Sequence, residues 1–343
     1  MSSENMVEVR NLVKIYPSGT RAVASIDFDV PREEFFGLLG PNGAGKSTTM
    51  KILGTLLKKT SGTVTVAGYN VDADVKAVRR SIGFAMQEVG LDDLATGRDF
   101  LQLQGVLYGL SRREARRRAD ELLDLVGLGH VAGQRVGAYS GGMRRRIDLV
   151  GALMHDPEIL FLDEPTVGLD PQSRIAMWEY LDELNAKGVT ILLTTQVMEE
   201  ADRLCRSIAI IDHGQIVASG SPKSLKAEVG GDVVQILLNG SGDGPDDAEN
   251  ERAEGLIRQQ RYVDSINRVD GGVAITVKDG NAAVPDLVAM LHDNRMPVAS
   301  LSVARPTLDD VFLKYTGRTI RAEEATGNGV DQMMGPMMGL KRR

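Results

Sequence analysis

Residues 35–47 read Phe35-Phe36-Gly37-Leu38-Leu39-Gly40-Pro41-Asn42-Gly43-Ala44-Gly45-Lys46-Ser47, and Thr48 follows. The apolar run suits a buried strand, and Gly40 to Ser47 has the spacing G-x-x-x-x-G-K-S of a phosphate-binding loop. Such a loop works where a strand turns sharply into a helix. Successive backbone N–H groups and the positive end of the helix then face one anion. The apolar spacing of Met50, Leu53 and Leu57 predicts that helix. In this setting Lys46 reaches the β- and γ-phosphates of a nucleoside triphosphate, and the Ser47 hydroxyl takes a place on Mg2+. Strand, loop and helix stand in register, so the stretch reads as a triphosphate site rather than an idle glycine-rich turn.

Outward from this stretch, short apolar runs alternate with helical periodicity from about residue 7 to 228. Strands are predicted at 64–67, 82–86, 159–162 and 191–194, and helices near 111–126, 141–155 and 172–187. This alternation predicts an α/β fold on a largely parallel sheet. Residues 208–211 and 215–218 flank Asp212-His213-Gly214 and read as a hairpin. Composition changes after Gly230-Gly231, and the acidic, turn-rich stretch from Asn239 to Asp247 reads as a loop. Around it, strand 233–238, helix 247–260, strands 262–268 and 273–278, helix 283–293 and strand 297–304 spell β-α-β-β-α-β, the ferredoxin-like order. Thr307 with Asp310 marks one more helix start. The expected division is a domain over 1–228, a small α+β domain over 229–318, and a Met- and Gly-rich tail over 319–343 that reads as a disordered terminus.

A chain of 343 residues with 42% hydrophobic content has room for two cores. Its net charge of −7 argues against a protein whose main task is gripping nucleic acid. The basic cluster Arg112, Arg113, Arg116, Arg117 and Arg118 belongs on the solvated face of a helix opened by Ser111 and Glu114. A single cysteine, Cys205, rules out an internal disulfide, suits a reducing compartment and reads as a packing residue. The N-terminus has no basic region followed by an apolar stretch, as a secretory signal would. No window approaches the roughly 18 consecutive apolar residues of a membrane span. A role at a membrane would need another chain to cross it.

Two further stretches narrow the chemistry. The predicted strand 159–162 ends in Asp163, a carboxylate suited to holding Mg2+, and Glu164 follows as a base for an attacking water. Ser140-Gly141-Gly142 precedes a helical pattern with Ile147, Val150 and Met154. Serine caps a helix well and two glycines let backbone approach an anion, so this is a second helix start suited to a phosphate. With only one phosphate loop in the chain, two copies sharing two sites is the natural arrangement.

Taken together, these residues resemble an ATP-binding cassette (ABC) ATPase of the daunorubicin-resistance exporter type. The cassette resemblance covers about residues 7–228: the loop at 40–47, a glutamine at Gln87, the signature Tyr139-Ser140-Gly141-Gly142-Met143, Asp163-Glu164, and Gly168-Leu169-Asp170. It implies a P-loop NTPase cassette with a RecA-like core, an antiparallel β subdomain and a helical subdomain. It implies Tyr16 stacked on adenine, and Gln87 sensing Mg2+ and coupling the site to membrane subunits. Ser140, Gly141 and Gly142 would reach the γ-phosphate of the opposite copy, with Asp170 at the dimer seam. The signature has Tyr139 and Met143 where Leu and Gln are usual, and Gln196 stands where the switch residue is usually His. A glutamine amide donates a hydrogen bond but cannot carry or shuttle a proton as imidazole does. Slow turnover with Glu164 as the one base is therefore expected.

Tyr-Ser-Gly-Gly-Met-Arg-Arg-Arg, Leu-Leu-Thr-Thr-Gln and residues 307–318 resemble the same subgroup. The resemblance implies an ATP-hydrolysing subunit with Mg2+. It would act as a dimer with a second copy of itself and bind a separate polytopic membrane permease at the cytoplasmic face of the cell membrane. The cargo it implies is a hydrophobic drug or lipid-like molecule. The alternative is a soluble non-transport ABC ATPase on ribosomes or DNA. The acidic charge, the single cassette, and the absence of heptad repeats and zinc-type cysteine pairs count against it.

Overall fold

The computed structural model describes residues 4–86, 90–238, 247–269, 272–296 and 298–316. The chain divides into two compact units, the first running to Pro222 and the second covering Lys223–Gly317.

In chain order the first unit contains β1 (Asn5–Ile15), β2 (Arg21–Pro31), β3 (Phe35–Leu39), α1 (Lys46–Leu53), β4 (Ser61–Val66), β5 (Tyr69–Asn70), α2 (Val75–Ser81) and β6 (Ile82–Ala85). Then come α3 (Gly97–Leu107), α4 (Arg112–Leu125), α5 (Gly141–Gly151), β7 (Ile159–Asp163), α6 (Pro171–Ala186), β8 (Thr190–Thr195), α7 (Met198–Leu204), β9 (Ser207–Asp212) and β10 (Gln215–Gly220). The central sheet has the order β10-β9-β3-β8-β7-β6, parallel except for the β9–β10 hairpin. Every residue of β3, β7 and β8 is buried, which is why these strands read as unbroken apolar runs and not as alternation. A second sheet, β2-β1-β4-β5, is antiparallel. Helices α3, α4 and α5 pack on one another.

Local chemistry accounts for the elements. Ser111 and Glu114 form a reciprocal capping box at α4, whose buried stripe is Ala115, Ala119, Leu122 and Leu123. Arg112, Arg113, Arg116 and Arg117 of that helix face solvent, as its pattern requires. Helix α5 stops at Gly151, short of the expected 155. Beyond it the N–H groups of Leu153 and Met154 bond three residues back, and Asp156 takes φ 58°, turning the chain out before Pro157. Gly37 in β3 has no side chain because Cys205 occupies the space; a Cβ there would lie 2.7 Å from its sulfur. Cys205 is buried and free, a packing residue whose thiol burial holds protonated, its pKa well above the ordinary value.

The second unit contains α8 (Pro222–Val229), β11 (Asp232–Leu238), α9 (Asp247–Ile257), β12 (Val263–Val269), β13 (Gly272–Val277), α10 (Gly280–Asp293), β14 (Val298–Ala304) and α11 (Leu308–Thr316), with the first residue of α8 at the boundary. Its sheet is antiparallel in the order β12-β13-β11-β14, the ferredoxin-like arrangement. Val234, Ile236, Val273, Ile275 and Val277 cluster with Ala253 and Ile257 of α9 and Leu287 and Leu291 of α10. Helix α10 starts at Gly280, before the expected 283, because the Asp279 carboxylate accepts from the Ala282 N–H and sets the cap there. Thr307 and Asp310 cap α11 reciprocally. The tail from 319 onward and the loop at 239–246 lie outside the described residues.

Phe161 of β7 is fully buried and meets Phe84 edge-to-face at 6.0 Å. Phe161→Ala should lower the stability of the first unit by about 3–5 kcal/mol, read from its denaturant midpoint. A shift too small to resolve would contradict the packing described.

Candidate active site

The parallel register assembles this site. Leu39 at the end of β3 pairs with Thr195 of β8, and Thr194 of β8 pairs with Asp163 of β7. The loop after β3, the residues after Asp163 and the residues after Thr195 therefore leave one carboxyl edge side by side, where open parallel sheets hold ligands. The Gly40 N–H fixes the first turn by donating to the Thr195 carbonyl at 3.2 Å. A Cβ on Gly40 would lie 2.2 Å from the Ile211 carbonyl oxygen. Gly43 and Gly45 take φ 80° and 109°, conformations that a side chain disfavours. With Pro41, Asn42 and Ala44 between them, they wrap the start of α1.

This loop borders a cavity of about 130 Å3 lined by Ala22, Asn42, Gly43, Gly45, Lys46, Ser47, Thr48 and Glu164. Lys46 is 4% exposed. Its Nζ donates to the carbonyls of Gly40 at 2.8 Å and Pro41 at 3.0 Å, and lies 3.3 Å from Glu164 Oε1. Burial lowers the lysine pKa from its ordinary value, while Glu164, the next largest influence, pulls the other way. Ser47 Oγ donates to Asp163 Oδ1 at 3.0 Å, and Thr194 Oγ1 donates to the same oxygen at 2.5 Å. Glu164 is buried with φ 50°, and its N–H donates to the Thr194 carbonyl at 3.0 Å.

The arrangement fits a polyphosphate. Gly43 leaves open space beside the cavity, a buried cation stands at the start of α1, and that helix presents its N–H groups. It also fits a hard divalent cation, since Ser47 and Asp163 offer oxygen donors. Among the described residues no group of three or more His, Cys, Asp or Glu could hold a metal.

The other predicted residues fall in three places. Tyr16 joins the loop, its hydroxyl 3.3 Å from Thr48 Oγ1 and its ring under Lys14. Ser140 caps α5 by accepting from the Met143 N–H, and Gly142 approaches Ser173 so closely that a Cβ would sit 2.7 Å from its Oγ. Asp170 caps α6, accepting from the N–H and hydroxyl of Ser173, and these bonds lower its pKa. Ser140, Gly141, Gly142 and Asp170 do not line the loop cavity. Gln196 follows β8, its Oε1 buried without a hydrogen-bond partner among the described residues. Gln87 lies outside the described residues.

Sequence reading missed Thr194, whose hydroxyl orients Asp163, and the inward role of Arg145, whose guanidinium reaches the carbonyls around Glu164. It also gave no purpose to Tyr139, which is buried and donates from its hydroxyl to the Val131 carbonyl at 2.9 Å. A polar residue inside a fully buried strand was the available signal for Thr194.

Comparisons agree with this geometry. The family described as ABC transporter matches residues 23–167, and the family described as ATP-binding protein DrrA1-3-like, C-terminal domain, matches residues 220–316. The chain is 41% identical over 312 residues to the daunorubicin/doxorubicin resistance ATP-binding protein DrrA of Streptomyces peucetius, covering 91% of this chain and 92% of that one. It is 38% identical over 319 residues to the linearmycin resistance ATP-binding protein LnrL of Bacillus subtilis (strain 168), covering 92% and 100%. Among solved structures it is similar to the ATP-binding cassette MJ0796 in a dimeric post-hydrolysis state bound to ADP and Pi. That match has TM-score 0.58 and 29% identity, over 63% of this chain and 98% of the other.

Gly43 and Gly45 separate backbone strain from collision. Gly43→Ala meets no atom within 4 Å, whereas Gly45→Ala would put a Cβ 2.4 Å from the Ala22 carbonyl oxygen. Thermal unfolding should show Gly43→Ala costing about 1–2 kcal/mol, the left-handed penalty alone, and Gly45→Ala costing more. Equal losses would contradict the loop path.

Proposed function

This chain belongs to the ABC transporter family, and from that premise we propose that it is the ATP-binding and ATP-hydrolysing subunit of an exporter of hydrophobic drugs or lipid-like molecules. The observation that carries the reading is the convergence of Lys46, Ser47, Asp163 and Glu164 at the start of α1. ATP is the substrate, with Gly40 to Ser47 and Thr48 around its phosphates and Tyr16 against its base. Mg2+ would be held by Ser47 and Asp163, with Gln87 the further ligand that family membership implies, and would supply charge neutralisation of the phosphate oxygens.

The protein's own groups divide the work. Lys46 offers a charge whose carbonyl partners leave it directed along the loop. Glu164 acts as general base, taking the proton of the attacking water at its carboxylate. Gln196 donates an amide hydrogen bond and moves no proton. Ser140, Gly141 and Gly142 serve the nucleotide of a second copy, with Asp170 at the seam. That none of them lines the loop cavity of their own chain supports this.

No helix among the described residues is long and apolar enough to cross a membrane. Export therefore calls for a separate polytopic permease, which would hold this subunit at the cytoplasmic face of the cell membrane. A groove of about 430 Å3, lined by Leu56, Ile82, Phe84, Met86 and Tyr108 with Gly54 and the charged Arg79, leaves room for such a partner.

Glu164→Gln should lower kcat for ATP hydrolysis by about 10²–10⁴-fold while leaving ATP binding intact, and Lys46→Ala should abolish binding itself. Both are read from single-turnover hydrolysis and equilibrium titration with ATP. Wild-type turnover in Glu164→Gln would overturn the assignment of the base.

A further inference from the structure

Arg145 lies on α5, the helix that Ser140 caps, yet it turns inward and is only 6% exposed. Arginine is almost never buried to this degree unless its charge and its donors are met. Asp148 meets the charge, with an oxygen 3.4 Å from Nη1. The donors go to backbone. Nε donates to the Pro165 carbonyl at 2.9 Å, Nη2 to the carbonyls of Asp163 at 3.1 Å and Glu164 at 3.4 Å, and Nη1 to that of Met86 at 2.5 Å. One planar group thus holds three consecutive peptide carbonyls at the end of β7 and ties them to the end of β6.

The residue in the middle of that run is the strained one. Glu164 has φ 50°, and a non-glycine residue persists in the left-handed region only where its surroundings over-determine it. Thr194 fixes Glu164 from one side, through its N–H. Arg145 fixes it from the other, through the carbonyls of the residue and both its neighbours. The Glu164 carboxylate meanwhile reaches Lys46 and lines the cavity.

We propose that Arg145 is a positioning residue for ATP hydrolysis, its guanidinium fork holding the 163–165 backbone so that the Glu164 carboxylate stays aimed into the loop cavity. The proposal rests on the reading of Glu164 as the base. A lysine would not replace the fork. It keeps the charge but is a point donor without the planar geometry that spans several carbonyls at once. Loss of the fork releases the Glu164 backbone, while the Asp163 carboxylate keeps its hydrogen bonds from Ser47 and Thr194, so it should slow hydrolysis and spare affinity.

The test uses the full-length protein with Arg145→Gln, Arg145→Lys and, as reference, Glu164→Gln. It measures kcat and KM for ATP, equilibrium affinity for a fluorescent ATP analogue, and thermal unfolding. Arg145→Gln should lose about 10²-fold in kcat, the scale of a small misplacement of a catalytic group, with unchanged nucleotide affinity. Arg145→Lys should fall between it and the wild type. Wild-type kcat in Arg145→Gln would overturn the proposal, and so would a parallel loss of kcat, affinity and thermal stability. If Arg145→Gln does not fold, Arg145→Lys decides: lowered kcat at native affinity supports the proposal, and wild-type kcat overturns it. Failure of both to fold would make Arg145 a stability residue and overturn it too. An active Glu164→Gln would refute the base assignment, whereas an inactive one beside fully active Arg145 variants refutes only the positioning role.

Discussion

The contact between Lys46 and Glu164 sets the terms for the rest of the site. Two buried, oppositely charged side chains stand 3.3 Å apart at a helix start, in a pocket that Ala22, Asn42, Gly43, Gly45, Ser47 and Thr48 complete. Taking both from water costs several kcal/mol per ion after relaxation, and attraction alone seldom offsets it. The surrounding structure supplies the remainder. The carbonyls of Gly40 and Pro41 take two ammonium hydrogens, and Thr194 holds the Glu164 backbone. The lowered lysine pKa has the same origin, because burial outweighs the pull of the carboxylate. Only a backbone that turns as tightly as Gly43 and Gly45 allow could bring those carbonyls within reach.

That pair meets only because the parallel sheet sets the register. Lys46 comes from the loop after β3, Glu164 from the residue after β7, and β8 lies between the two strands. A slip of one residue in either ladder would turn the strand over and send Asp163 or Thr194 to the wrong face. The buried faces of β3, β7 and β8 lock the register through packing, so core and chemistry rest on the same pairings. Thr194 joins them directly: it pairs with Asp163 in the ladder and also bonds its carboxylate.

Much of this was legible in the sequence wherever the physics is local. The phosphate loop, the capping box of Ser111 and Glu114, and the β-α-β-β-α-β order of the second unit carry their own signals, and the structure has each in place. Nonlocal facts were hidden. Arg145 sits between Arg144 and Arg146, and nothing in that basic run marks the one member whose helical phase points inward. Arg144 instead pairs with Asp93, and Arg146 reaches the Val126 carbonyl. Tyr139 was visible as a departure from the usual signature but not as a tether to Val131, since its partner lies in a separate turn. The end of α5 was misplaced for a related reason: its apolar periodicity continues through Met154, while hydrogen bonds three residues back break the helix after Gly151.

The central claim is that residues 40–48 take the phosphates of ATP on the side where Lys46 faces Glu164, in a site completed by a second copy. A crystal structure of the Glu164→Gln protein with Mg2+ and ATP tests it most directly. The account predicts two chains closed around two nucleotides, with Lys46 on the phosphates, Ser47 and Asp163 at the cation, and the second copy's Ser140, Gly141 and Gly142 at the γ-phosphate. A triphosphate bound away from the loop, or a complete site within one chain that the second copy does not touch, would contradict it.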